Sequence, residues 1–236
     1  MLGSSRNWIS TGADLAAERH VWALDLRNHG KSPHADSMTY AEMMADVLAW
    51  LDAQGIESAD FVGHSMGGKV AMLLACRHPT RVASLTVVDI APKLYQSNRH
   101  RAEFAAMIEL NLAEVRSRGD AELKMEGRVP DWGMRKFLTT NLERGEDDTW
   151  QWTVNLPVIA QALPGLEQNP LGGTDSYDGP VCFVIGGKSR YVQPADHDAI
   201  HRHFPAAGIE TIEASGHNPH METRPAFVAA VRRHLG

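Results

Sequence analysis

Cysteine is scarce in this sequence. Only Cys76 and Cys182 occur, both in segments that read as buried helix and strand, so free thiols in a reducing cytoplasm are expected. No apolar run approaches the roughly 18 residues that a membrane span needs. The opening residues, Met1-Leu2-Gly3-Ser4-Ser5, have neither the basic nor the apolar stretch of a signal peptide. Twelve histidines are present, yet no His-Glu-x-x-His or Cys-x-x-Cys pattern accompanies them, so neither a metal nor a cofactor is expected. His197 and His201, four apart, read as an exposed helical face. Basic clusters are also missing and the net charge is −6, which argues against nucleic acid as a partner.

What is present describes an ordinary globular chain. Its 236 residues suit one domain with a full core. The hydrophobic share of 43% and charged share of 22% are those of a soluble protein. Val21-Trp22-Ala23-Leu24-Asp25-Leu26 is a short apolar run and predicts a buried strand. From Thr39 to Gln54, the spacing of Met43, Met44, Val47, Leu48 and Leu51 predicts a helix ending at Gly55. Ala59 to Val62 predicts a strand, Met66 to His78 a helix closed by Pro79, and Val82 to Ile90 a third strand. That alternation points to a parallel sheet with crossover helices.

Between about Lys93 and Tyr177 the rhythm changes. Helices are predicted over Asn98 to Arg116, Asp120 to Glu126, Pro130 to Asn141 and Pro157 to Leu163, an all-helical insertion suited to covering a site. The strand–helix pattern then resumes with Val181 to Ile185, Pro194 to His203, Ile209 to Ile212 and a closing helix from Met221 to Leu235. The expected division is a core of residues 1–92 and 178–236 with a helical cap of residues 93–177. No internal repeat or low-complexity linker interrupts it.

Gly63-His64-Ser65-Met66-Gly67 matches G-x-S-x-G, with a strand ending before it and a helix starting after it. In that context the motif is a nucleophile elbow rather than a close-packed glycine turn. The glycines relieve crowding, the serine hydroxyl stands above the sheet, and the Met66 amide at the helix start faces a developing oxyanion. A serine hydroxyl needs a base. In chains built on this elbow the histidine comes last, after the final strand. Ser215-Gly216-His217-Asn218 stands there, so His217 is the candidate base. His220 is its competitor and reads as packing under the cap, and His64 should point into the fold.

The third member is less direct. The usual acid follows the strand ending at Ile185, but Gly187-Lys188-Ser189-Arg190 offers no carboxylate. Asp89, at the end of the strand beside the elbow strand, can reach the histidine from the opposite loop. Asp175, Asp178 and Asp196 are weaker candidates in polar turns or at a helix start. The acid would fix the imidazole tautomer and stabilise the imidazolium.

Five segments in order carry a family resemblance: Asp25-Leu26-Arg27-Asn28-His29-Gly30-Lys31-Ser32-Pro33-His34, the elbow through Lys69, Val88-Asp89-Ile90-Ala91-Pro92, Gly186 to Val192, and Gly216-His217-Asn218-Pro219-His220. The sequence resembles the YbfF-type esterases, a subgroup of the α/β-hydrolases, over nearly its whole length and least in the cap. The resemblance implies an α/β-hydrolase fold, a mostly parallel sheet flanked by helices with a helical cap insertion. It also implies hydrolysis of small-molecule acyl esters and thioesters, and a triad acid at Asp89. Asn218 departs from the aromatic residue common there, which implies a more open or polar acyl site.

A second departure is larger. Relatives place two or three strands and a His-Gly loop before the segment that matches Gly3 to Trp8. One of those strands lies between the strands ending at Leu26 and Val62. Its absence predicts unpaired backbone groups and an exposed apolar edge. Three outcomes fit: a reading frame that starts upstream, direct pairing across the gap, or a partner subunit in a homodimer. By register the second oxyanion amide falls at Met1, or at Leu2 if the loop shifts.

The sequence is thus read as a cytoplasmic serine carboxylesterase using Ser65, His217 and Asp89. The alternatives are an acyl-CoA thioesterase, which a basic entrance near Arg99, His100 and Arg101 would favour, and a non-catalytic binding module of the same fold.

Overall fold

Long apolar runs become the two central strands of a four-stranded parallel sheet. In this computed structural model, which describes residues 1–95 and 98–236 and for 98 and 99 the backbone alone, the order is β1-β2-β5-β6. The sheet strands are β1 (Ala59–His64), β2 (Val82–Val88), β5 (Val181–Gly186) and β6 (Gly208–Ile212). β5 is buried at every position and β2 at all but one, as expected for strands covered on both faces. Helices α1 (Ile9–Leu15), α2 (Tyr40–Ala53), α3 (Met66–Arg77), α8 (His197–His203), α9 (Pro219–Glu222) and α10 (Arg224–Leu235) belong to the same layered unit. On α2, Thr39 caps the N-terminus by accepting from the Glu42 amide, and Tyr40, Met43, Val47 and Leu51 form its buried stripe.

The register aligns the strand ends that matter. His64 pairs with Val88, Val88 with Val184, and Gly186 with Ile212. The ladder continues one step beyond the strands, because the Ser65 amide donates to Val88 O at 3.1 Å and the Asp89 amide to Val184 O at 2.9 Å. The loops after β1, β2, β5 and β6 therefore emerge side by side at the carboxyl edge, where open α/β sheets place their sites.

Between β2 and β5 the chain forms α4 (Asn98–Glu109), α5 (Arg118–Lys124), α6 (Trp132–Thr139), the antiparallel pair β3 (Leu142–Arg144) and β4 (Trp150–Trp152), and α7 (Leu156–Leu166). One continuous apolar core joins this insertion to the sheet, from Val70, Met72 and Leu85 through Met107 and Leu138 to Ile159. A second cluster, including Val184, Phe227 and Val231, lies beneath α10. Two core side chains also hold the carboxyl end of α7. Lys69 Nζ donates to Glu167 O and Gln168 O at 3.2 and 2.5 Å, and Tyr40 OH donates to Leu166 O at 2.6 Å. Those carbonyls lack partners within the helix, and a cation suits that end of the dipole. Burial pushes the Lys69 amine down to about 8. Cys76 and Cys182 are free thiols, raised by burial to about 12 and about 11.

Several expectations need correction. Residues 21–26 form no strand. Without a neighbour they have no ladder, and β1 pairs with β2 alone among the described residues, so direct pairing across the gap does not occur. Side chains hold this segment instead: Trp22 stacks on His20 at 3.9 Å and meets Trp50 edge-on at 5.7 Å. Val21 and Trp22 are exposed. The insertion is not all helical, since β3 and β4 form a hairpin across the polar turn at Gly145–Asp148. Three residues per strand are too few to show a period-two pattern. The helix from Asn98 stops at Glu109, and the closing helix breaks at Thr223, ahead of a proline in the first turn of α10.

Candidate active site

The tight turn at Ser65 follows from what surrounds it. Ser65 is held at φ 52° and ψ −117° between β1 and α3, a conformation that side chains rarely adopt and that costs about 1–3 kcal/mol. A Cβ at Gly63 would lie 2.5 Å from Gly67 O, so only glycine lets the helix start this close to the strand. The result presents the Ser65 hydroxyl to the loop after β6, where His217 Nε2 lies 3.2 Å from Ser65 Oγ.

His217 Nδ1 lies 2.7 Å from Asp89 Oδ2. Asp89 is fully buried and also occupies the left-handed region, at φ 48°. Its Oδ1 accepts from the Gly186 amide at 3.0 Å, and its Oδ2 also accepts from the hydroxyl of Ser189. These donors satisfy the hydrogen-bonding capacity that a buried carboxylate would otherwise lose with water. It accepts the Nδ1–H of His217 and thereby leaves Nε2 as the acceptor facing Ser65. Burial lowers the His217 pKa, and the Asp89 hydrogen bond opposes that shift. The imidazole is therefore neutral at neutral pH, the form that can take a proton.

The loop carrying His217 is fixed from several sides. Glu222 accepts the amides of Gly216 at 2.6 Å and Asn218 at 3.1 Å, on either side of the histidine. Tyr191 stacks on the imidazole at 3.7 Å and 13°. His64 Nε2–H donates to His217 O at 2.7 Å. Gly186 is needed here as well, because a Cβ there would lie 1.9 Å from Gly216 O.

The other expected residues are placed as follows. Met66 begins α3, so its amide sits at the positive end of a twelve-residue helix. Met1 O lies 2.7 Å from His29 Nε2, and Leu2 O accepts from Asn141 Nδ2 at 3.0 Å. Both carbonyls of the proposed oxyanion loop are thus tied to the protein. His64 points into the fold with its pKa well below the ordinary value through burial. His220 is buried and makes no contact with Ser65 or Asp89 among the hydrogen bonds of the site. It stacks on Trp8 at 4.3 Å and meets Phe227 edge-on, and burial lowers it to about 4. Asp175 and Asp196 are engaged elsewhere, with Arg77 and Lys93, and Asp178 is exposed. Of the expected basic entrance, the Arg99 side chain lies outside the described residues, and His100 is paired with Glu103 at 3.1 Å.

Ser189, Tyr191 and Glu222 were not singled out in the sequence. A signal for Ser189 existed: it stands in the loop where an acid is usual, so a hydroxyl there is placed to meet an acid supplied by another strand. No pattern marks Tyr191 or Glu222, whose roles arise only from the folded loop. Among the described residues no cluster of histidine, cysteine or carboxylate side chains could hold a metal ion.

Comparison with known proteins identifies the fold and the family. Residues 1–223 match the family model described as alpha/beta hydrolase fold. The sequence is 37% identical to the sn-1-specific diacylglycerol lipase ABHD11 of Mus musculus, covering 100% of this chain and 78% of that protein. It is 34% identical to Esterase YbfF of Escherichia coli (strain K12), covering 100% and 90%. Among solved structures, a marine microorganism esterase superimposes with a TM-score of 0.96 at 33% identity, covering 99% of this chain and 92% of that one.

Proposed function

The chain belongs to the α/β-hydrolase family and is a serine ester hydrolase, and on that premise we propose that Ser65 is its nucleophile, His217 its general base and Asp89 the acid. The observation that carries the assignment is the unbroken series Ser65 Oγ, His217 Nε2, His217 Nδ1 and Asp89 Oδ2, joined at 3.2 and 2.7 Å.

In this reading Ser65 Oγ attacks the ester carbonyl carbon while its proton passes to His217 Nε2. The carbonyl oxygen becomes an oxyanion that accepts from the Met66 amide and from a second N–H donor, the Met1 amine or the Leu2 amide. Collapse breaks the bond to the alcohol oxygen, which takes the proton from His217, and the acyl group stays on Ser65. Water, deprotonated by the same imidazole, then releases the acid and regenerates the serine. Asp89 stays ionised and stabilises the imidazolium at each step. No cofactor enters this scheme.

The test is labelling with a fluorophosphonate probe. Ser65 should be modified in the parent protein, and the label should be lost in both Ser65→Ala and His217→Ala. A protein that takes no label would be a binding module of this fold instead.

We further propose that residues 93–177 act as the cap over this site, joined to the core through Lys69, Tyr40 and the shared apolar core. The open outer edge of β1 supports a homodimer in which a second copy covers it. Light scattering should then give twice the 26.0 kDa chain mass, and a monomer would rule the dimer out. Among the described residues no helix is long and apolar enough to cross a membrane.

A further inference from the structure

Tyr95 lies beyond Asp89 on the segment that leaves β2, and its side chain turns back onto the loops of the site. The Tyr95 hydroxyl accepts the Ala91 amide at 2.9 Å and donates to Tyr191 O at 2.8 Å. Ala91 belongs to the loop after β2 that carries Asp89, and Tyr191 to the loop after β5. One hydroxyl therefore joins the loop of the acid to the loop of the ring that stacks on the base. Burial pushes the Tyr95 pKa up, so the group stays a neutral hydroxyl with its proton committed to Tyr191 O.

The Tyr191 loop is also tied down through Ser189. That hydroxyl donates to Asp89 Oδ2 and accepts the Tyr191 amide at 3.1 Å. The Tyr191 amide is thus referred to Asp89 through Ser189, and its carbonyl to Ala91 through Tyr95. The ring that these two anchors hold lies 3.7 Å from the His217 imidazole, at 13°. The Tyr95 ring stacks on Tyr191 in turn, at 5.6 Å. Tilting of the imidazole would lengthen its 3.2 Å approach to Ser65 Oγ, and a misplacement of about 1 Å can cost about 10²-fold in rate.

The insertion holds Tyr95 in its place. Its amide donates to Glu167 O at 2.8 Å, the carbonyl at the end of α7 that Lys69 Nζ also reaches. The ammonium groups of Lys69 and Lys93 each lie 5.0 Å from the centre of its ring, within reach of the ring's electrostatic attraction.

We propose that Tyr95 is a positioning residue for ester hydrolysis: its hydroxyl sets the Tyr191 ring against His217, and its main chain ties that setting to the end of α7. The proposal rests on Ser65, His217 and Asp89 being the triad and deepens that reading.

The experiment measures kcat and KM for a p-nitrophenyl ester, well below each protein's melting temperature, in Tyr95→Phe, Tyr191→Leu and the double variant. Tyr95→Phe keeps the ring and its stacking partners and removes the hydroxyl alone. It should lower kcat by about tenfold, with KM changed by less than about twofold, as expected when only the imidazole's alignment is lost. Tyr191→Leu should lower kcat at least as much. In the Tyr191→Leu background, adding Tyr95→Phe should cost less than about twofold more, because residues that act through one another are not additive. A Tyr95→Phe protein with the kcat of the parent overturns the proposal. So does a rise in KM with kcat intact, which would place Tyr95 in the substrate pocket, or a full additional loss in the double variant. Ser65→Ala measured alongside separates the two readings: an inactive Ser65→Ala beside an unaffected Tyr95→Phe removes the positioning role and leaves the triad standing.

Discussion

The hydroxyl of Ser189 donates to Oδ2 of Asp89, the same oxygen that lies 2.7 Å from His217 Nδ1. The loop after β5, where the acid usually stands, thus supplies a donor to an acid standing one strand away. Removing that hydroxyl leaves Asp89 charged and buried with one donor fewer. It should also loosen the imidazole that Asp89 orients. Ser189→Ala is expected to lower kcat by about tenfold to a hundredfold, the range for a hydrogen bond to a charged group, with KM little changed. Ser189→Thr should restore most of the loss. A rise in KM with kcat intact would mean that Ser189 serves the substrate pocket instead.

Ser65→Ala should lower kcat by about 10⁶, because triad members act as a unit. The check is hydrolysis of a p-nitrophenyl ester with protein of matched melting temperature. Activity within tenfold of the parent would remove Ser65 from the mechanism.

Asp89→Asn should lower kcat by about 10⁴, since the amide stabilises the wrong imidazole tautomer. A second readout separates this from general damage. Burial lowers the His217 pKa and Asp89 raises it, so losing the carboxylate should lower it further. The base must be neutral to act, and activity falls as pH drops through its pKa. The acid limb of the residual activity should therefore move to lower pH in the variant. Asp175→Asn and Asp178→Asn should leave both rate and profile near those of the parent.

Much of this site was legible in the sequence because the chemistry is written into short, ordered segments. The elbow glycines, the late histidine at 217 and the carboxylate just after β2 each follow from what a strand end can present. What could not be read depends on contacts between distant residues. Glu222 holds the His217 loop through two backbone amides, and a backbone contact leaves no residue pattern behind. The 21–26 run failed for a related reason: its composition suits a strand, but a strand also needs a neighbour to pair with. The β3–β4 hairpin was lost to brevity, its Leu142 buried and its tryptophans set among helices.

Acid should destabilise this protein through its buried histidines, and His220 makes the effect measurable. It is 2% exposed, stacked on Trp8, with Nδ1 lacking a hydrogen-bond partner among the described residues, and burial lowers its pKa to about 4. In the unfolded chain the same ring titrates near the ordinary histidine value of about 6.5. Between these two values the unfolded state binds the extra proton and the folded state does not. Stability therefore rises with pH across that window and falls as pH is lowered through it. At pH 5 the difference amounts to about 2 kcal/mol for His220 alone. His220→Phe keeps an aromatic ring between Trp8 and Phe227 and removes the proton-linked contribution. Urea unfolding at pH 7 and pH 5 should show the parent losing about 2 kcal/mol more than the variant. Equal losses in the two proteins would mean that the folded state accommodates a charged ring at 220, contrary to its packing.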